Sequence, residues 1–277
     1  MQAEMLSEGY TGPEVLYQYL PPPDGTKDTS NILSASRFKL SKIGAMNDPF
    51  DMLPALKEVT NPKLIRDYLE RNAPRLGIFG EITSLMVAQW KENWRNACNN
   101  PLSEWADRAR NTLLLCLSSR DNGTLLWSHY AQYHRGFAVG FRSKILIDAK
   151  PRTLLFPVEY DDERPELDIT TAVHEQAVAP DLLPVFKRKS REWSYENEWR
   201  AIHHPQDLEA GEYLRFAANA VQCVIIGALT EKDTILKLRD ACITGGLANV
   251  PVMKASMSKK RYELEIFPTD WTKALEE

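Results

Sequence analysis

The sequence predicts an α+β fold with a helical insertion. Two short apolar runs, 113–117 and 136–141, are bounded by turn residues and read as strands buried on both faces. Residues 61–110 switch to apolar spacings of three and four, the mark of packed helices. The second half carries more strand than helix pattern, which fits an α+β domain. No Gly/Ser-rich or Pro-rich linker divides the chain. A single domain spanning 1–277, with the helical insertion at about 61–110, is therefore expected.

In chain order, residues 15–20 (VLYQYL) form a first strand, stopped by Pro21-Pro22-Pro23 and an Asp24-Gly25 turn. Thr29 or Ser30 caps a short helix over 31–36, which leads into a strand at 38–43. The turn-rich loop Met46-Asn47-Asp48-Pro49-Phe50-Asp51 follows. Pro62 opens a helix through Leu64, Ile65 and Leu69; a second carries Ile82, Leu85, Met86, Ala88 and Trp90; Pro101 starts a third through Trp105 and Ala109. After the strand at 113–117 comes a helix over 125–131 and the strand at 136–141. Further strands are expected at 153–160, 198–203, 221–226, 251–256 and 261–267. A helix bearing Ile235, Leu238 and Cys242 ends at Gly245-Gly246.

Composition excludes several classes. The chain has 277 residues, 43% hydrophobic and 26% charged, enough for a sizeable core and unlike collagen, a disordered tail or a mini-protein. With 34 Lys+Arg against 38 Asp+Glu, the net charge of −4 gives no global positive field to recruit nucleic acid or anionic lipid. Cys98, Cys116, Cys223 and Cys242 form no CxxC pair, so reduced thiols in a cytoplasmic protein are expected. The first residues, MQAEMLSEGYTG, lack the basic segment and apolar core of a secretory signal. No apolar stretch approaches the ~18 residues of a membrane span, and no membrane partner is expected.

Three segments have chemical content. In Trp127-Ser128-His129-Tyr130-Ala131, a helix puts Trp127 and Tyr130 on neighbouring positions of one face and His129 off it. These aromatics either pack on the sheet or wall a pocket for a flat ligand. His129 and His134, five apart, make a poor metal pair on one helix. In Trp193-Ser194-Tyr195-Glu196-Asn197-Glu198-Trp199-Arg200, an extended chain puts Glu196, Glu198 and Arg200 on one face. That arrangement suits one carboxylate stabilising a developing positive centre while the other handles a proton; the alternative is a Glu/Arg-paired edge strand, and the flanking tryptophans favour the site. Lys187-Arg188-Lys189-Ser190-Arg191 is a solvated charge run or a phosphate-holding one. Lys259-Lys260-Arg261 reads as a hairpin turn, and Asp48 before Pro49 first of all as a turn whose side chains bind local N–H groups. The chain has no GxxxxGK[ST], no GxGxxG after a strand, no HExxH, no GxSxG and no EF-hand loop.

Taken in order, Leu16-Tyr17-x-Tyr19, Asn47-Asp48-Pro49-Phe50-Asp51, Trp127-x-His129-Tyr130-Ala131 with Gly136-Phe137-Ala138-Val139-Gly140-Phe141, and Trp193-x-Tyr195-Glu196-x-Glu198-Trp199-Arg200 resemble a large bacterial family of domains of unknown function. More distantly, the order of parts is similar to the ADP-ribosyltransferase superfamily. The first strand there supplies an aromatic or polar residue to the NAD pocket, a central strand-helix-strand a Tyr or Ser beneath the nicotinamide, and a later strand a Glu-x-Glu. That resemblance implies a mixed, mostly antiparallel two-sheet core and an enzyme that binds NAD as substrate. It would transfer ADP-ribose to a macromolecular acceptor, protein or nucleic acid, or hydrolyse NAD, in a toxin, effector or phage-defence setting with an antitoxin or regulatory partner. It also implies roles. Glu198 lies near the ribose hydroxyls, Glu196 takes a proton from the acceptor, and Tyr130 and Trp127 flank the nicotinamide. Tyr17 or Tyr19 and His129 line the cofactor pocket, and Arg188 or Arg191 holds the diphosphate. Two other readings stay open: a metal-dependent nuclease or phosphoesterase drawing on Asp48, Asp51, His129, Glu196 and Glu198, and a non-catalytic nucleotide-sensing module.

Overall fold

The computed structural model describes residues 10–23, 29–93, 113–148, 154–168, 183–202 and 213–276. The chain divides into two compact units: Met1–Ser41, Leu113–Val158 and Glu192–Glu277 form the first, and Lys42–Thr112 with Glu159–Arg191 the second. The helical block expected at about 61–110 belongs to the second unit, which also takes in 159–191.

In the first unit the strands are β1 (Val15–Leu20), β2 (Arg37–Lys39), β3 (Leu113–Ser118), β4 (Phe137–Arg142), β5 (Leu154–Pro157), β6 (Glu198–Ile202), β7 (Tyr213–Arg215), β8 (Val221–Ile226), β9 (Val252–Met257) and β10 (Leu264–Thr269). The helices are α1 (Asn31–Ser34), α2 (Thr124–Tyr130), α3 (Ser143–Asp148), α4 (Lys232–Thr244) and α5 (Trp271–Glu276). One large sheet has the order β10-β9-β8-β4-β1-β3-β6-β5, and β2 pairs with β7 apart from it. Every pairing along this order is antiparallel except β8 with β9. That parallel pair is joined through α4, because a parallel neighbour needs a crossover. The fold is thus mixed α+β with a large, mostly antiparallel sheet, while the resemblance implies two sheets.

The apolar runs are strands because both faces are covered. Leu16, Leu115, Leu117, Phe137, Val139, Phe141, Ala201 and Val224 point to one face and join Leu238 and Cys242 of α4 in the main apolar core. Burial of each large side chain contributes on the order of 2 kcal/mol. The alternate residues of the same strands point the other way, onto α2. There Tyr19, Ala138, Cys223 and Ile225 pack with Leu126, Trp127 and Ala131.

Several boundaries differ from the expected ones for local reasons. The helix expected over 31–36 stops at Ser34, since Ser36 takes a left-handed φ of 48°. The strand expected at 153–160 is two: Leu154–Pro157 joins the main sheet, and Glu159–Asp161 pairs with Arg188–Ser190 in the second unit. The strand expected from 261 begins at Leu264, after an exposed turn that holds Lys259, Lys260 and Arg261. Helix α5 is additional; the Asp270 carboxylate accepts from the Lys273 N–H at 2.9 Å and caps it.

In the second unit, helix Pro62–Asn72 starts where expected, with Asn61 accepting from Lys63 N and Pro at the first turn. Helix Ser84–Glu92 is capped by Thr83, and Tyr68 meets Trp90 at 5.1 Å between ring centroids. The third expected helix, from Pro101, lies outside the described residues. In the 46–51 loop the Asp48 carboxylate accepts from Phe50 N at 2.8 Å, the local turn bond that Asp before Pro predicts. Asp51 forms a buried pair with Lys189 at 3.9 Å. No helix among the described residues is long and apolar enough to cross a membrane.

Candidate functional site

Sheet register assembles a polar row on the face covered by α2. Cys223 pairs with Gly140, Gly140 with Tyr17, Tyr17 with Ser118, and Ser118 with Glu198, so their side chains share one face. At Gly140 a Cβ would crowd the Cys223 thiol at 2.9 Å and the Tyr17 ring at 3.0 Å, so both side chains pack against bare backbone there. Arg200, two residues along β6, takes the same face. Buried charge on a sheet face is the unusual feature of this unit, since such groups are costly to desolvate without partners. Arg200 and Glu198 satisfy each other: Nε and Nη2 of Arg200 donate to the two carboxylate oxygens at 2.8 and 3.0 Å.

The segment before β6 is not extended. Arg191–Glu196 forms a 3-10 helix, and Asn197 turns the chain with a φ of +45° before Glu198 opens the strand. Glu196 and Glu198 therefore do not share a strand face, which corrects the extended reading of this stretch. A left-handed residue between them sends the two carboxylates to different partners. The Glu196 carboxylate accepts from the Tyr130 hydroxyl at 2.5 Å, and its residue is 3% exposed.

Tyr130 is the last residue of α2, and the chain beyond it reverses through three consecutive left-handed residues: Gln132, Tyr133 and His134, with φ of 46°, 56° and 68°. Tyr133 N and His134 N close back on the Ser128 and Trp127 carbonyls. Gly136 then passes so close to β1 that a Cβ would collide with the Leu20 carbonyl oxygen. Burial pushes the His134 imidazole below its usual range.

An aromatic row borders the Tyr130–Glu196 pair. Tyr195 shares a 3.0 Å hydrogen bond with Nδ1 of His129. The His129 ring lies 6.3 Å from Tyr130 and 5.9 Å from Tyr195, and Trp193 lies 6.1 Å from Tyr195. Tyr130, Tyr195 and Trp193 are half-buried and His129 is exposed. This is stacking surface with polar edges beside a buried carboxylate, which suits a flat heteroaromatic ligand.

The structure thus brings Tyr130, Glu196 and His129 together and places Tyr17, Tyr19 and Trp127 on the same sheet face. Trp127 is 0% exposed, stands edge-on to Tyr19 at 5.1 Å and donates its indole N–H to the Asp121 carbonyl. Its ring is thus enclosed by the protein in this structure. Tyr19 is buried and donates to the Arg120 carbonyl at 2.6 Å. Burial, and next the Asp121 carboxylate, push the Tyr17 phenol up to about 12; the same causes raise Tyr19 further. Arg188 and Arg191 belong to the second unit, where they pair with Asp161 at 3.6 Å and Asp162 at 3.2 Å. Asp48 and Asp51 are also in the second unit. Among the described residues, no three His, Cys, Asp or Glu side chains converge on a metal-sized site.

Ser118, Tyr195 and Asp121 carry parts of this site that the sequence reading did not single out. Tyr195 had a visible signal, its place between Trp193 and Glu196, but an extended reading turns it to the opposite face. Ser118 had none beyond ending an apolar run.

No curated protein and no solved structure matches the chain. A family model does, over the segment from within α2 to within β6 that holds Tyr130, Tyr195, Glu196, Glu198 and Arg200. Residues 126–201 match the family described as protein of unknown function, DUF2971.

Proposed function

We propose that the first unit binds NAD and acts on its nicotinamide–ribose bond, passing ADP-ribose to a macromolecular acceptor or to water. The observation that supports this best is the Tyr130 hydroxyl on the Glu196 carboxylate at 2.5 Å, beside half-buried aromatic rings. It joins the tyrosine of the central strand-helix-strand to the first glutamate of the Glu-x-Glu segment, two parts that the ADP-ribosyltransferase resemblance assigns to the NAD pocket.

The chemistry assigns the two glutamates different work. The Glu198 charge is taken up by Arg200 inside the protein, so Glu198 serves the fold. Glu196 is the carboxylate for the reaction. As the bond between the ribose C1′ and the nicotinamide nitrogen breaks, its electron pair leaves with nicotinamide and positive charge grows on the ribose. A carboxylate at that centre stabilises the charge most in the transition state. The acceptor oxygen or nitrogen then bonds to C1′ and gives its proton to Glu196. Tyr130 orients the carboxylate, and Tyr195 and Trp193 offer faces to the flat rings.

The burial of both carboxylates favours a second reading, a nucleotide-binding module without turnover. Incubating the full chain with NAD, following nicotinamide release by chromatography and binding by calorimetry, separates the two. Release that Glu196→Gln lowers by roughly 10²-fold or more, with the fold intact, supports catalysis. Tight binding without release supports the module. A folded protein that neither binds nor cleaves NAD overturns both.

A further inference from the structure

Three consecutive carbonyls cross the turn between the two glutamates, and each has its own donor. Ser118 Oγ donates to the Glu196 carbonyl at 2.6 Å, Ser119 N to Asn197 O at 3.1 Å, and Val158 N to Glu198 O at 2.9 Å. The middle residue, Asn197, holds a left-handed φ of +45°, which asparagine tolerates better than most residues other than glycine. Asn197 contributes its own part: its N–H donates to Ser194 O and its side-chain amide to Tyr195 O, both at 3.2 Å.

The Ser119 hydroxyl also reaches the Asn197 carbonyl, at 3.4 Å, whereas Ser118 is the donor to Glu196 itself, and its proton has a fixed destination. Its oxygen already accepts from Arg120 N at 3.0 Å, so the hydroxyl hydrogen goes to the Glu196 carbonyl. The residue is 4% exposed, which leaves no bulk water to replace that donor if the hydroxyl is lost.

We infer that Ser118 is the positioning residue of the site. Its hydroxyl fixes the Glu196 main chain at the end of the 3-10 helix, and thereby sets where the Glu196 carboxylate meets Tyr130. The inference concerns the pair itself and stands whether or not the ligand is NAD, so its failure and that of the proposed activity are told apart.

The test reads the Tyr130 hydroxyl directly. The full chain is labelled with 3-fluorotyrosine at its 10 tyrosines, and the Tyr130 fluorine resonance is assigned by its loss in Tyr130→Phe. Glu196→Gln supplies the resonance for a hydroxyl without a carboxylate partner. Ser118→Ala is expected to move the Tyr130 signal most of the way to that position, and Ser118→Thr, which keeps the hydroxyl, to restore the wild-type position. A folded Ser118→Ala with an unmoved signal overturns the inference. If Ser118→Ala does not fold, Ser118→Cys replaces it. Its thiol is a weak donor of similar size, so a wild-type signal there also overturns the inference and a displaced one supports it.

Discussion

Replacing Arg200 by methionine removes a guanidinium that has no exposed surface and leaves the Glu198 carboxylate, itself 6% exposed, without the cation that binds both its oxygens. Methionine fills much of the space, so the loss is electrostatic rather than a cavity. Removing one partner of a buried pair costs about 3–5 kcal/mol, because the remaining charge stays desolvated. For a chain of this size each kcal/mol corresponds to roughly 2–4 °C in Tm. Arg200→Met is therefore expected to melt roughly 6–20 °C below wild type. The Glu198→Gln/Arg200→Met double variant takes away the stranded charge and is expected to recover most of that loss, with a coupling energy of on the order of 2 kcal/mol or more in the cycle. Far-ultraviolet circular dichroism melts and urea titrations at pH 7 measure both. A single variant that melts within about 2 °C of wild type, or a double variant no better than the single, refutes the assignment of Glu198 to the fold.

Two further outcomes follow from particular residues. The Tyr17 phenol is raised to about 12 in the folded chain, chiefly by burial, so its contribution to stability is fully present below the ordinary tyrosine value near ~10 and fades as pH rises toward 12; urea midpoints at pH 9 and 11 should fall further for wild type than for Tyr17→Phe, and parallel falls would count against it. Tyr133 is exposed and left-handed, so Tyr133→Gly should gain roughly 0.5–1 kcal/mol and Tyr133→Val should lose about 1 kcal/mol, and thermal melts in the reverse order would contradict that ranking.

The readable parts of the fold were those in which one face or both faces of an element meet the apolar interior. The run LLLCL between polar neighbours marks β3, and Phe137 to Phe141 marks β4, because a strand covered on both sides needs apolar residues at every position. Asn61-Pro62 marks a helix start because cap and first-turn chemistry is local. The division of 153–160 between two units left no local trace, since the residues on both sides of Val158 carry strand pattern.

By itself the sequence determined the α+β class, most of the strands of the large sheet and the two aromatic segments that hold Tyr130 and Glu196, all through short-range pattern. Tertiary structure alone decided which partner each glutamate takes. In the sequence, Glu196 and Glu198 are equivalent acids two residues apart, and their separation rests on the φ of +45° at Asn197. Residues 78 and 66 positions away hold that geometry through Ser118 on the Glu196 main chain and Tyr130 on its carboxylate. A side chain's direction at a turn of this kind is set by partners distant in the chain, and a local pattern carries no record of them.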